Sequence, residues 1–272
     1  MNTPEHSEPA DLSKCAEEPI HIPGSIQSHG VLIAVTASDL KIVQLSANVE
    51  TLFGISPINL IGKFLVELMG QEQLTELLEN SSAVPQGFPQ VCHIMVAGQK
   101  QSFAVVSHTT DGLVVLEFLP IQNLASLDTI EFFKDSYAAI TKTLASSSST
   151  ELFQVAAKYI RELIGFDRVM VYIFDHESNG TVVAESRNEQ VESYLHRHFP
   201  ASDIPPQALL LYKKSRFRLL ANVDSVPSPI QPTCNPLTQK PLDLSHSVLR
   251  SMSPVHIEYL RNMNVKTSMS VS

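Results

Sequence analysis

Cys15-Ala16-Glu17-Glu18-Pro19-Ile20-His21-Ile22-Pro23-Gly24-Ser25-Ile26-Gln27-Ser28-His29-Gly30 is the most informative run of this chain. Pro19 and Pro23 fix φ and remove a backbone donor, and Gly24 frees the chain to turn. The stretch from Pro19 to Gln27 therefore follows an extended, non-helical path. A lone thiol stands just before it, in a polar arm over residues 1–18. Two later segments are read with it: Phe199-Pro200-Ala201-Ser202-Asp203-Ile204-Pro205, and Leu249-Arg250-Ser251-Met252-Ser253-Pro254-Val255-His256-Ile257-Glu258-Tyr259-Leu260.

A chain of 272 residues, 43% hydrophobic and 17% charged, has the length of two ordinary domains and enough apolar material for packed cores. Its net charge of -9 argues against nucleic acid as a partner, because phosphate binding needs clustered Lys and Arg. The three cysteines, Cys15, Cys92 and Cys234, contain no CxxC pair, as expected of reduced thiols in a cytoplasmic protein. The acidic N-terminus is not a signal peptide, and no apolar run approaches the roughly 18–20 residues of a membrane span. The sequence thus predicts a soluble, intracellular protein with no membrane partner.

From Val31 the pattern is strand-like. Residues 31–35, 41–45, 91–96, 102–107 and 113–119 are rich in β-branched and apolar residues, with polar turns such as Thr110-Asp111-Gly112 between them. Segments 48–53, 64–68 and 72–78 carry helical spacing. After a connector at 122–128, residues 130–144 read as a helix with Phe132, Phe133, Tyr137, Ile140 and Leu144 on its apolar side. Ser149 or Thr150 is expected to cap the next helix, whose stripe is Leu152, Val155, Ala156, Tyr159, Ile160 and Leu163, and Gly165 to end it. Residues 168–174 and 181–185 read as a hairpin, 203–214 as a short helix with Pro at its start, and 217–223 as a strand. The five prolines in 225–241 predict a long irregular loop, which inside a compact domain needs a functional reason. Residues 247–262 read as a helix and 266–272 as the start of another strand.

Together the three segments resemble the chromophore-binding half of a bacteriophytochrome, a red/far-red photoreceptor carrying a linear tetrapyrrole. The resemblance runs from about Cys15 to Ser272. It implies an α+β fold: a PAS domain over 19–121, a linker over 122–128 and a GAF domain over 129–272, both antiparallel sheets with packed helices. It also implies a figure-of-eight knot, in which the segment after the cysteine passes through the loop at 225–241 with Ile26 near the crossing. Further sheet is expected beyond Ser272, ending in a strand that closes the pocket and carries a histidine, so the GAF part is expected to be incomplete.

The pigment implied is biliverdin, attached by a thioether to Cys15. Plant and many cyanobacterial phytochromes attach through a cysteine just before the pocket histidine, and Val255 stands there in this chain. The resemblance assigns Asp203 and His256 to the pyrrole nitrogens and their water. Arg218 and Arg250 match the propionate-binding arginines, helped by hydroxyls of Tyr212, Ser253, Ser268 and Ser270. Tyr172, Phe199 and Tyr259 match the surroundings of ring D, with Met170, Ile204 and Val255 lining the rest. The expected function is light sensing without enzymatic activity, by a homodimer joined through GAF helices that signals to a downstream domain or kinase outside the chain. The competing expectation is a PAS–GAF ligand-binding or dimerising module that no longer binds pigment. No nucleotide-binding glycine loop, GxSxG elbow or catalytic triad can be assembled, and His196-Arg197-His198 lacks the spacing and third ligand of a metal site.

Overall fold

The computed structural model describes residues 18–83, 88–121 and 129–272. The described residues fall into two compact units, Met1–Gln122 with Pro206–Ser272, and Asn123–Pro205.

The first unit is built on a seven-stranded antiparallel sheet. Its five expected strands are β2 (Val31–Thr36), β3 (Ile42–Ser46), β4 (Gln90–Val96), β5 (Gln99–Thr110) and β6 (Leu113–Pro120). They pair in the order β3-β2-β6-β5-β4. Asp111 (φ 46°) and Gly112 (φ 76°) form the turn between β5 and β6; two positive φ values match the twist of a tight hairpin. Four helices follow β3: α1 (Val49–Phe53), α2 (Pro57–Leu60), α3 (Leu65–Met69) and α4 (Gln71–Ala83).

Side chains alternate across a strand, so β2 feeds two cores. Val31, Ile33 and Val35 join Phe53, Leu65, Phe103 and Phe118 on the helix-covered face, where the three phenylalanine rings meet edge-on. Leu32 and Ala34 join Val115, Ile230, Leu242, Leu244 and Leu249 on the other. Burial on both faces explains why 31–35 is an unbroken apolar run. It also recruits residues 242–249 as the cover of the second face.

Two more strands extend the sheet beyond β3, β1 (Ser25–Ile26) and β11 (Ser228–Gln231), in the order β1-β11-β3. The expectation that 225–241 is wholly irregular is therefore corrected. Pro229 is tolerated because only its carbonyl is needed, accepting from Ala47 N–H at 2.8 Å, while Ile230 N–H donates to Gly24 O. On its other side the β1 segment meets 249–251: Gln27 N–H donates to Leu249 O at 2.7 Å, and Ile26 bridges Arg250.

The remainder of this unit comprises α7 (Pro206–Lys214), β10 (Phe217–Leu220), α8 (Pro254–Asn262) and β12 (Ser268–Val271). Strands β10 and β12 pair antiparallel. Two boundaries are corrected. The helix expected from 203 begins at Pro206, and Asp203 instead ends a 3-10 turn at Ala201–Asp203. The helix expected from 247 begins at Pro254, at the first helical position, because the backbone N–H groups of Val248, Leu249 and Ser251 donate to partners outside any helix.

The second unit holds α5 (Thr129–Leu144), α6 (Ser149–Ile164) and a three-stranded sheet of β7 (Arg168–Phe174), β8 (Gly180–Arg187) and β9 (His198–Phe199). Ser148, rather than Ser149 or Thr150, caps α6 by accepting from Glu151 N–H, and Gly165 ends the helix at φ 71°. The α6 stripe is half-buried, with Ile160 and Leu163 open to solvent, as are Tyr137 and Ile140 on α5. The side chains of Phe132, Phe133 and Leu144, and the connector 122–128, lie outside the described residues.

Candidate anion and chromophore site

Arg218 lies on β10 opposite Ser270 of β12. Its guanidinium is enclosed by three donated hydrogen bonds: Nε to Ser270 Oγ at 2.9 Å, Nη1 to Ser215 O at 2.6 Å and Nη2 to Ser272 Oγ at 2.7 Å. Alternation along β12 puts Ser270 and Ser272 on the same side, which is why both reach it. The Arg218 group lies over the Tyr212 ring of α7, 3.9 Å from ring centroid to Cζ, a favourable cation–π contact.

Arg250 precedes α8 and is as deeply buried, 7% exposed against 8% for Arg218. Its Nη1 donates to Ile20 O at 2.7 Å, while its buried Nε has no partner. Burial lowers the proton affinity of both guanidiniums, and for Arg250 the Arg218 charge adds to the effect. Burial raises the Tyr212 phenol, opposed by the same two charges. Among the described residues neither arginine has a carboxylate within ion-pair distance. Two neighbouring buried cations with no carboxylate in contact are costly, and the more distant Asp243 charge offsets this only in part at Arg250. The arrangement suits a ligand that brings carboxylates of its own.

Gln27 fixes this pair from beneath. Its buried side-chain amide donates to Leu219 O at 2.6 Å and to Arg250 O at 3.3 Å, and its Oε1 accepts from Ala221 N–H at 3.0 Å. One amide thus ties β10 to the Arg250 backbone. Sequence reading placed Gln27 in the rigid run but gave it no task; a polar residue at the end of an apolar extended stretch is the signal that could have marked it.

Helix α8 presents three expected residues. Val255 is half-buried, while His256 and Tyr259 sit one turn apart with near-parallel rings, centroids 6.4 Å apart. The His256 ring is solvent-accessible, yet crowding by protein and then the Arg250 charge hold its imidazole below its ordinary range. At the helix start Ser253 Oγ donates to Glu18 at 2.5 Å. Ser268, half-buried, pairs with Leu220.

The second unit holds the remaining candidates. Tyr172 of β7 and Phe199 of β9 pack at 5.9 Å between ring centroids, joined by Phe174 and Tyr194, which sequence reading missed. The Tyr172 ring lies over Gly180, where a Cβ would stand 1.8 Å from Cζ, so only glycine fits. Met170 is partly exposed, Asp203 exposed and Ile204 half-buried. Cys15 lies outside the described residues. Of the other thiols, Cys92 is buried and pushed up to about 11 by desolvation, and Cys234 is half-buried in the proline-rich segment. Among the described residues there is no metal-ligating cluster, and no helix is long and apolar enough to cross a membrane.

The chain is similar to known proteins in sequence and fold. A PAS-fold family model matches residues 15–121 and a GAF-domain model residues 148–272. The chain is 41% identical over 264 residues to cyanobacterial phytochrome B of Nostoc sp., covering 96% of this chain and 35% of that protein. It is 39% identical over 267 residues to the bacteriophytochrome of Pseudomonas aeruginosa, covering 97% and 35%. The chain thus spans about a third of the length of these curated relatives. Among solved structures, the chromophore-binding domain of Stigmatella aurantiaca phytochrome P1 superposes with a TM-score of 0.88 at 36% identity, covering 95% of this chain and 85% of that one.

Proposed function

The chain belongs to the bacteriophytochrome family, matching its PAS–GAF chromophore-binding part, and from that premise we propose that it senses red and far-red light through covalently bound biliverdin. The observation that carries this reading is the pair of buried guanidiniums, Arg218 and Arg250, with an unpartnered Nε on the second. Biliverdin carries two propionates, and a guanidinium offers a carboxylate a forked pair of donors. Tyr212, Ser268 and Ser270 supply hydroxyls for the same groups, and Ser253 joins them once its proton leaves Glu18.

When bound, the pigment supplies red-light absorption and isomerisation of the double bond beside ring D. The protein's residues bind, orient and protonate it. Cys15 provides the thioether: Cys92, buried and with its thiolate disfavoured, is poorly suited. The Asp203 carbonyl accepts from pyrrole N–H groups, and His256 holds a proton at the same group. Tyr172, Phe199 and Tyr259 contact ring D, and Met170, Ile204 and Val255 complete the apolar lining. The division is a PAS domain over 19–121 and a GAF domain over 129–272 joined by 122–128, with the arm 1–18 bearing the thiol. Contacts of the β1 segment on both flanks, with β11 and with 249–251, support a threaded crossing at Ile26. The module is cytoplasmic and non-catalytic, dimerises through its GAF helices, and passes its signal to a downstream domain or kinase.

The test is a biliverdin titration of Arg218→Met, Arg250→Met and the double variant. Losing a charge-assisted contact at each site should weaken binding by about tenfold or more. Affinity unchanged in the double variant contradicts the assignment.

A further inference from the structure

Strand β6 reads Leu113-Val114-Val115-Leu116-Glu117-Phe118-Leu119-Pro120, apolar except for one carboxylate. Leu113 and Val115 face the second core, so alternation points Glu117 the same way, at the cover segment 242–249. The carboxylate is completely buried. It accepts from Ser247 Oγ at 2.7 Å, Val248 N–H at 3.1 Å and Leu249 N–H at 2.7 Å. Its nearest basic group, His108 Nδ1 on β5, is 3.6 Å away, and neither ring nitrogen of His108 has a partner.

Sheet formation does not need a charge at this position. A buried carboxylate costs several kcal/mol unless its hydrogen bonds repay it, and an apolar residue would serve packing better. What the carboxylate does is hold three consecutive residues, and the next residue is Arg250. The same backbone is held from its opposite side, where Leu249 O accepts from Gln27 N–H at 2.7 Å and Ser251 N–H donates to Ser25 O at 3.3 Å. Ser25 and Ser251 hydroxyls also meet at 2.8 Å. The Arg250 backbone is thus clamped between the β6 carboxylate and the β1 segment.

We propose that Glu117 is a positioning residue for the anion site: by gripping Ser247, Val248 and Leu249 it fixes the origin of the Arg250 side chain, and so the direction in which its guanidinium meets a ligand carboxylate. This rests on reading Arg250 as a propionate contact. Among the described residues the guanidinium donates to a single protein acceptor, the main-chain carbonyl of Ile20, so its aim depends on where its own backbone is held. A one-ångström displacement at Cα is enough to spoil a bidentate contact.

The test compares biliverdin with its dimethyl ester, which lacks the propionate charges. The full chain carries Cys15→Ala so that binding stays reversible. The parent should prefer the acid by about tenfold or more. Glu117→Gln replaces one acceptor with a donor and should shrink that preference to about twofold to threefold while the ester's affinity stays within about twofold. Ser247→Ala removes one of the three ties and should shrink it partway; it decides the matter if the Gln variant does not fold. Equal weakening of both pigments, or an undiminished preference for the acid, assigns Glu117 to stability alone and overturns the proposal while leaving the anion site intact. A parent with no preference for the acid overturns the anion site itself, and the role of Glu117 with it.

Discussion

Glu117 and His108 face each other inside the first unit with opposite electrostatic needs, and this makes a pH experiment decisive. Burial pushes the Glu117 carboxyl from 4.5 up to about 7, against the pull of its hydrogen bonds from Ser247, Leu249 and Val248. Burial, then the His246 charge, holds the His108 imidazole down from 6.5 to about 4, with Asp243 opposing. At about 1.4 kcal/mol per pH unit, each shift is worth on the order of 3 kcal/mol. The signs differ. Glu117 binds its proton more tightly when folded, so its contribution is full below 4.5 and is lost as pH rises to about 7. His108 binds its proton less tightly when folded, so its contribution is full above 6.5 and is lost as pH falls to about 4. Between 4.5 and 6.5 the two slopes nearly cancel. Relative to the parent, Glu117→Gln removes the falling carboxyl contribution, so its stability should climb by about 3 kcal/mol from pH 4.5 to 7. His108→Phe removes the rising imidazole contribution, so relative to the parent its stability should fall by a similar amount from pH 4 to 6.5. Urea unfolding across this range reads the result. Parallel stability curves for the parent and both variants would refute the opposed-shift account.

Other perturbations probe the remaining parts. Cys15→Ala should abolish zinc-dependent bilin fluorescence in denaturing gels, and a retained fluorescent band would sink Cys15 as the attachment point. Gly180→Ala drives a Cβ into the Tyr172 ring and should cost about 1–3 kcal/mol or more; an unchanged melting temperature would contradict that packing. Asp203→Ala and His256→Ala should retain pigment yet impair photoconversion, since anchoring falls to other groups. Unchanged photoconversion kinetics and pigment titration in both would count against their role.

Much of this was legible in the sequence, for physical reasons that also mark where legibility ended. The strands at 31–35 and 113–119 were visible because β-branched runs between turns have few alternatives. That β2 is buried on both faces was not, since the covering residues, 242–249, are distant in sequence. Composition argued against a strand at 228–231, yet Pro229 fits because its neighbours carry the needed donors. The helix expected over 247–262 starts only at Pro254, because Ser247, Val248 and Leu249 have a distant carboxylate as their partner. Among the candidate site residues, Arg218 contacts both Tyr212 and Ser270. Gln27 and Glu117 stayed hidden because their partners are backbone groups about 130 or more residues away, which no local pattern encodes.

The proposal that this chain is a bilin photosensor meets its clearest test in one absorption measurement. The purified protein is mixed with biliverdin, freed of unbound pigment, and scanned in darkness and after red illumination. A far-red band that survives removal of free pigment and shifts under red light is the predicted result. A spectrum that returns to that of the protein alone, or a bound band indifferent to red light, contradicts it.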